Sequence, residues 1–145
     1  MKLMIKTVDD LEVEALVQAK NSAHQTMLAA LSQAAEAVTG SVPQPERDSW
    51  STKAVAARAV LDGTATPEQS AMLNAECAVT REAVADLAAS IVAKADAYSA
   101  FAASLSGLRR TTTTAIEGAT MPEEVAACLT TLQNTLADMA GQGAS

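Results

Sequence analysis

The chain has 145 residues, and 10 Lys and Arg against 17 Asp and Glu give it a formal net charge of −7. This acidic balance argues against a nucleic-acid-binding protein, which needs a basic surface to pair with phosphates. The sequence contains no apolar run of about 18 residues, so no membrane insertion is expected. The opening residues lack the apolar segment of a secretory signal, and the length is that of one ordinary domain.

Alanine dominates the apolar part of the composition. Hydrophobic residues make up 49% of the chain and aromatic residues only 2%, while alanine occurs 33 times. Alanine is the best helix former but contributes little apolar area to a core. The composition therefore predicts a mainly-α fold of about five helices, packed closely through small side chains.

Residues 1–40 are interpreted as an N-terminal arm followed by a heptad-patterned helix. Met1–Thr7 alternates in polarity, which predicts either a short strand or an arm that orders on a partner. A helix is predicted from Val8, with Asp9 or Asp10 as its cap, to Gly40. It carries a heptad seam at Val13, Leu16, Lys20, Ala23, Met27, Ala30, Ala34 and Ala37. Because the seam has little apolar area, we expect it to pack against another chain in a homo-oligomer, with Lys20 setting the register.

Residues 41–145 are interpreted as an alanine-rich helical bundle. A second helix is predicted over about Glu46–Leu61, after two prolines that interrupt the chain. Thr66 has Pro67 and Gln69 after it, the pattern of a capping box, and predicts a third helix that reaches about Cys77.

A long fourth helix is predicted after Thr80, followed by a fifth. Its apolar register is Val84, Leu87, Ile91, Lys94, Tyr98, Phe101, Leu105, Leu108, Thr112 and Ala115. We expect an interruption near Gly107 or a bend at Thr111–Thr114, because β-branched side chains are poor helix formers. Thr120, with Glu123 as its reciprocal partner, is predicted to cap the last helix. The short connection predicts that these helices form a long antiparallel αα-hairpin at the C-terminal end.

The sequence offers little catalytic chemistry. His24 is the one histidine, and no carboxylate or cysteine stands at ligand spacing from it. Cys77 and Cys128 are interpreted as buried thiols in a reducing compartment. No phosphate-binding glycine loop or nucleophile motif occurs. We therefore expect no enzyme activity, no cofactor, no metal and no small-molecule substrate.

Four residues outside the first helix are candidates for contacts with a protein partner. Trp50 is either a core side chain or an anchor at an interface. Lys94 lies on the apolar register of the fourth helix, where it either extends its amine to water or sets pairing specificity. Arg109 and Arg110 form either a solvated helix face or an ion-pair site for an acidic partner. The complete predicted interface set is Val13, Leu16, Lys20, Met27, Trp50, Lys94, Arg109 and Arg110.

Residues 43–129 carry a series of motifs in a distinctive order. A proline-rich entry ends at Trp50, an alanine-rich helix over Lys53–Leu61 follows, and Ala65-Thr66-Pro67 restarts the chain. The remaining elements are Ile91, Lys94, Ala95 and Tyr98, then Gly107 and Arg109, then Ile116, Ala119, Thr120, Glu123 and Val125. In this order the region resembles the helical region of tail and tail-fibre-assembly proteins of bacteriophages and prophages.

The resemblance implies a non-enzymatic tail component that associates with tail, baseplate or tail-fibre proteins through its helices. It implies a place in the virion tail, and in the cytoplasm of the bacterial host during assembly. A tail-fibre assembly chaperone is the alternative role within the same family. A phage-encoded helical protein that binds a host factor is a further alternative, since the negative charge suits a basic target.

Overall fold

The computed structural model describes residues 5–40 and 42–143, and within these ranges it contains five α-helices and no strand. The helices are α1 (Val8–Thr39), α2 (Gln44–Asp62), α3 (Pro67–Thr80), α4 (Val84–Gly118) and α5 (Pro122–Gly143). The predicted mainly-α fold is confirmed. Of the possible strand over Met1–Thr7, the first four residues lie outside the described ranges, and Ile5–Thr7 are not in a strand.

A capping box starts α1. The Thr7 hydroxyl accepts a hydrogen bond from the Asp10 amide at 3.2 Å, and the Asp10 carboxylate accepts one from the Thr7 amide at 3.0 Å. Thr7 is thus the cap, and Asp10 is its reciprocal partner rather than the cap itself. At the other end, Gly40 has a φ of 63° and donates its amide to the Glu36 carbonyl, which ends the helix as predicted.

The predicted cap at Thr66 is confirmed, whereas the boundaries around α4 differ from prediction. Thr66 and Gln69 form a reciprocal capping box at the start of α3. Thr80 does not begin α4 but ends α3, because Arg81 adopts a left-handed φ of 68° and breaks the helix there. At the start of α5, Glu124 rather than Glu123 accepts the Thr120 amide, at 2.8 Å.

The expected interruption of α4 is absent, since one helix runs from Val84 to Gly118. Burial in the threonine run offsets its poor helix propensity. Thr112 is buried, and the Thr114 hydroxyl is satisfied by donating to the Arg110 carbonyl one turn earlier, at 3.0 Å. Tertiary burial therefore outweighs local preference at this segment.

The chain divides into two compact units, and α4 contributes residues to both. One unit joins Met1–Gly40 to Ser104–Ser145, and the other is Ser41–Ala103. This grouping differs from the predicted division at residue 40. The reason is that α1 packs on α5 and on the last turns of α4 instead of standing apart from the bundle.

The first unit is an antiparallel arrangement around one core. Its buried residues are Ala23, Met27, Leu31, Ile116, Ala119, Val125 and Leu132. Lys20 of α1 meets Glu117 of α4, and Met27 meets Thr113, so residue numbers rise along α1 as they fall along α4. The two helices are therefore antiparallel. Leu105 and Leu132 lie in the same core on either side of the α4–α5 turn, which confirms the predicted hairpin.

The second unit, which consists of α2, α3 and the first part of α4, has a core built mainly from alanine. Its buried residues are Ala56, Ala57, Leu73, Leu87 and Ala88. Ion pairs join neighbouring helices at its margin: Lys53 pairs with Glu76 at 2.5 Å, and Arg58 pairs with Asp96. With such small side chains, helix backbones can approach closely, but each contact buries little apolar area.

Truncation of Leu132 tests the first core. Leu132 is 1% exposed, so Leu132→Ala removes buried methyl groups and leaves a cavity. We expect the free energy of unfolding to fall by about 2–5 kcal/mol. The matched Leu61→Ala change, at a side chain 47% exposed on α2, should stay within about 0.5 kcal/mol of the parent. Urea unfolding followed by circular dichroism measures both, and equal losses would contradict the core assignment.

Candidate functional site

The first two turns of α1 present apolar side chains to solvent. Every residue from 8 to 15 is exposed, and Val8 and Val13 keep 70% and 63% of their surface. We call Val8, Leu11 and Val13, with the carboxylates between them, the N-terminal surface. An open depression of about 450 Å³ adjoins it, lined by Leu11, Val13, Glu14, Ala15, Val17 and Gln18.

The core stops before these turns for two reasons. Lys20 lies level with Glu117 in the last turn of α4, so the preceding residues of the antiparallel α1 extend past the end of that helix. In addition, Glu12 and Asp9 stand four and seven residues before Leu16, on the same face of α1. A carboxylate enters an apolar core only at a large desolvation cost, so the core ends where Glu12 and Asp9 occupy this face.

Acidic groups dominate the electrostatics of the N-terminal surface. Asp9, Asp10, Glu12 and Glu14 lie within two turns, and Lys6 pairs with Glu14 at 2.6 Å. The backbone amide of Thr7, helped by its hydroxyl, lowers the pKa of the Asp10 carboxyl. Acids in a first turn also complement the positive end of the helix dipole. The surface therefore combines exposed aliphatic groups with negative charge.

Lys20 holds the end of α4. Its Nζ donates a hydrogen bond to the Glu117 carbonyl at 2.7 Å. The last carbonyls of a helix lack partners within the helix, and a cation there also complements the dipole. Within the unit, Lys20 thus fixes how α1 lies against α4, a role between two helices of the same chain.

The predicted seam of α1 is largely occupied by the chain itself. Met27 is 3% exposed, and its sulfur accepts a hydrogen bond from the Thr113 hydroxyl at 3.7 Å. Leu16 is half-buried against the same core. Of the four seam residues predicted to form an interface, Val13 alone is exposed. The seam prediction identified a packing face correctly, but that face contacts α4 and α5.

Trp50 lies at the margin of the second unit. It is half-buried and meets Tyr98 of α4 edge to face, with ring centroids 5.8 Å apart and an interplanar angle of 74°. Such a pair adds stability beyond the area it buries. Trp50 therefore contributes to packing between α2 and α4 while keeping part of its ring in solvent.

The structure leaves the predicted basic interface residues at the surface. Lys94, Arg109 and Arg110 are all exposed. Lys94 is in the second unit, and the two arginines are in the first. Of the eight predicted residues, Trp50 and Lys94 belong to the second unit and the other six to the first.

The described ranges offer no cluster of metal-binding side chains. Residues 5–40 and 42–143 contain no group of three His, Cys, Asp or Glu side chains that could hold a metal ion. His24 is half-buried on α1. Partial burial raises the pKa of the Cys77 thiol, with the carboxylates of Glu82 and Glu76 adding to the effect. A raised pKa lowers the thiolate fraction and with it the reactivity of Cys77.

Val8 and Leu11 belong to the N-terminal surface but were absent from the predicted interface. Their signal in the sequence was aliphatic residues interspersed with acids before the seam begins, in Val8-Asp9-Asp10-Leu11-Glu12-Val13.

Among the described residues, no helix combines the length and the hydropathy that a membrane span requires.

Comparisons with protein-family models, with curated proteins and with solved structures gave no match to this chain.

Replacing Lys20 tests its role at the end of α4. Lys20→Met keeps the aliphatic stem and removes the donor to the Glu117 carbonyl, which should lower the free energy of unfolding by about 1–2 kcal/mol. Lys94→Met, at an exposed lysine on α4, is the matched control and should change stability by less than about 0.5 kcal/mol. Chemical unfolding of both variants measures the difference, and a neutral Lys20→Met would contradict the role.

Acid should fray the start of α1. Because the folded pKa of Asp10 is lowered, its carboxylate stabilises the helix start above the unfolded pKa, and this contribution is lost as pH falls through the folded value. In an NMR titration we expect Asp10 to titrate below the usual aspartate pKa of about 3.9, with loss of first-turn amide protection at the same pH. Asp10→Ala should remove that pH dependence. A midpoint at or above the usual value would refute the capping box.

Proposed function

We propose that this chain is a non-enzymatic component of a bacteriophage tail, bound to a tail, baseplate or tail-fibre protein through its helices. The N-terminal surface carries the proposal of binding. Val8, Leu11 and Val13 are 70%, 52% and 63% exposed, on turns that extend beyond the core of their unit. Exposed aliphatic side chains grouped on one helix end mark a protein-binding surface more often than scattered ones do.

The charge of the N-terminal surface describes the partner. Four carboxylates in two turns, with one paired lysine, favour a partner site that joins an apolar groove to basic side chains. A helix laid into such a groove binds through anchors three and four residues apart, and Val8 and Leu11 have this spacing. The N-terminal surface would thus lie along a groove with basic side chains at its margin.

The phage assignment is supported by the order of motifs in residues 43–129. The proline-rich entry to Trp50, the restart at Thr66-Pro67 and the Ile116–Val125 hairpin follow one another as in the helical region of tail and tail-fibre-assembly proteins. The acidic, mainly helical fold is compatible with such a component. A virion role and an assembly role would use the same surface, so the presence of the chain in finished particles distinguishes them.

Particles from the encoding phage or prophage test this function. We expect quantitative mass spectrometry of purified tails to find the chain at fixed stoichiometry. A Leu11→Asp change, which adds a charge beside Val8 on the N-terminal surface, should lower its amount in particles by about tenfold or more, equivalent to about 1.4 kcal/mol of binding. Val55→Asp is the matched control, since Val55 is 59% exposed on α2, and should leave the amount unchanged.

Two results would overturn the proposal. If the parent chain binds nascent fibres but is missing from finished tails, it is an assembly chaperone. If Leu11→Asp incorporates as well as Val55→Asp, the N-terminal surface is not the binding site.

A further inference from the structure

A second heptad register runs along α1 beside the one that faces the core. It consists of Asp10, Glu14, Val17, Asn21, His24, Leu28, Leu31, Ala35 and Val38, which step alternately by four and three residues. From Asn21 onward each position follows the core-facing register by one residue, a rotation of about 100° around the helix. From Val17 to Val38 the register covers about three heptads, and five of its seven positions there are apolar.

Most of this second register lies at the surface. Val17, Leu28 and Val38 keep 52%, 51% and 53% of their surface, and Asn21 is exposed. His24 and Ala35 are half-buried, and Leu31 alone turns fully into the core of its own unit. We call Val17, Asn21, His24, Leu28 and Val38 the outer stripe. It spans about six turns of helix.

We propose that a second copy of this chain packs along the outer stripe as a parallel two-stranded coiled coil, with Asn21 facing Asn21. In this register Asn21 and Leu28 take a positions, and Val17, His24 and Val38 take d positions. A single asparagine at an a position pairs with its equivalent in a parallel dimer and fixes register and strand number. The exposed aliphatic groups at Val17, Leu28 and Val38 supply the apolar contacts.

The charge distribution favours a second copy over a charged partner. With a net charge of −7, two copies repel each other wherever their acids meet. Residues 15–35 contain one charged side chain, Lys20, and its ammonium group is already bound to the Glu117 carbonyl. A basic or acidic partner would find no charge to pair with on the outer stripe, whereas an identical stripe meets it without repulsion. In a parallel pair, Lys20 of one copy faces Gln25 of the other, so no like charges stand opposite each other beside the stripe.

The same register explains where pairing stops. Asp10 and Glu14 continue it towards the N-terminus, and equivalent carboxylates facing each other would repel. Contact between copies therefore begins at Val17 and leaves the N-terminal surface outside the dimer. Self-association does not depend on the proposed phage function, because it uses different residues and is measured without a partner.

Solution mass tests the dimer. Light scattering or sedimentation of the full chain, over a wide range of protein concentration, should approach twice the 14.9 kDa of one copy. Leu28→Glu should return the mass to that of one copy while the far-ultraviolet circular dichroism stays helical. Leu61→Glu, at an exposed leucine of α2, is the matched control and should remain dimeric. A monomer at all concentrations, a larger oligomer, or a dimer that survives Leu28→Glu would overturn the proposal.

Disulfide trapping tests the parallel register. In a chain with Cys77→Ser and Cys128→Ser, a Leu28→Cys change places one thiol at the same level in each copy. A parallel, in-register pair brings the two thiols face to face, so mild oxidation should give a covalent dimer. The control Val55→Cys, at a comparably exposed position of α2, should stay monomeric on a denaturing gel. Failure of Leu28→Cys to cross-link in a chain that is dimeric by mass would contradict the parallel arrangement.

Discussion

The packing of α1 on α5 and the last turns of α4 is the interaction on which the first unit depends. Among the described residues, the largest fully buried side chains are Leu73, Ile116 and Leu132, and two of these belong to this contact. Met27, Leu31 and Val125 complete its larger buried side chains, and leucines make up most of its partly buried margin. Lys20 adds a polar constraint by binding the end of α4. Through Lys20 and Glu117, α1 is thus held to a part of the chain that lies 97 positions later.

The same packing explains which part of α1 is open to partners. The core covers one face from Leu16 to Leu31 and stops where Glu12 and Asp9 occupy that face. The first turns and the neighbouring outer stripe are left in solvent, and they differ in charge. The acidic N-terminal surface suits a basic partner, whereas the nearly uncharged outer stripe suits an identical chain. Under the two proposals, α1 would stabilise its own unit, pair with a second copy and bind another protein through different parts of its surface.

Much of the fold could be predicted because helix ends have local chemical signals. Thr66 with Gln69, and Gly40 with its positive φ, marked boundaries that the structure confirms. The boundary between α3 and α4 was predicted wrongly, because Arg81 adopts a left-handed φ that its residue type does not indicate. The continuous helix through Thr111–Thr114 depends on burial of Thr112, which is a tertiary property. For the candidate site, periodicity identified the packing face of α1 correctly. It could not show that the occupant of this face is α4 and α5 of the same chain, because a heptad pattern specifies a neighbour without specifying its source.

Hydrogen exchange along α1 tests the central claim most directly, since each amide reports the local stability of its own turn. If α1 is held by the core from Lys20 onward, amides between Lys20 and Ala34 should exchange slowly and those between Leu11 and Ala15 should exchange much faster, with the change near Leu16. Uniformly fast exchange along α1 would show that it does not pack on α4 and α5. Uniformly slow exchange from Leu11 onward would show that the N-terminal surface is covered within the chain and is not open to a partner.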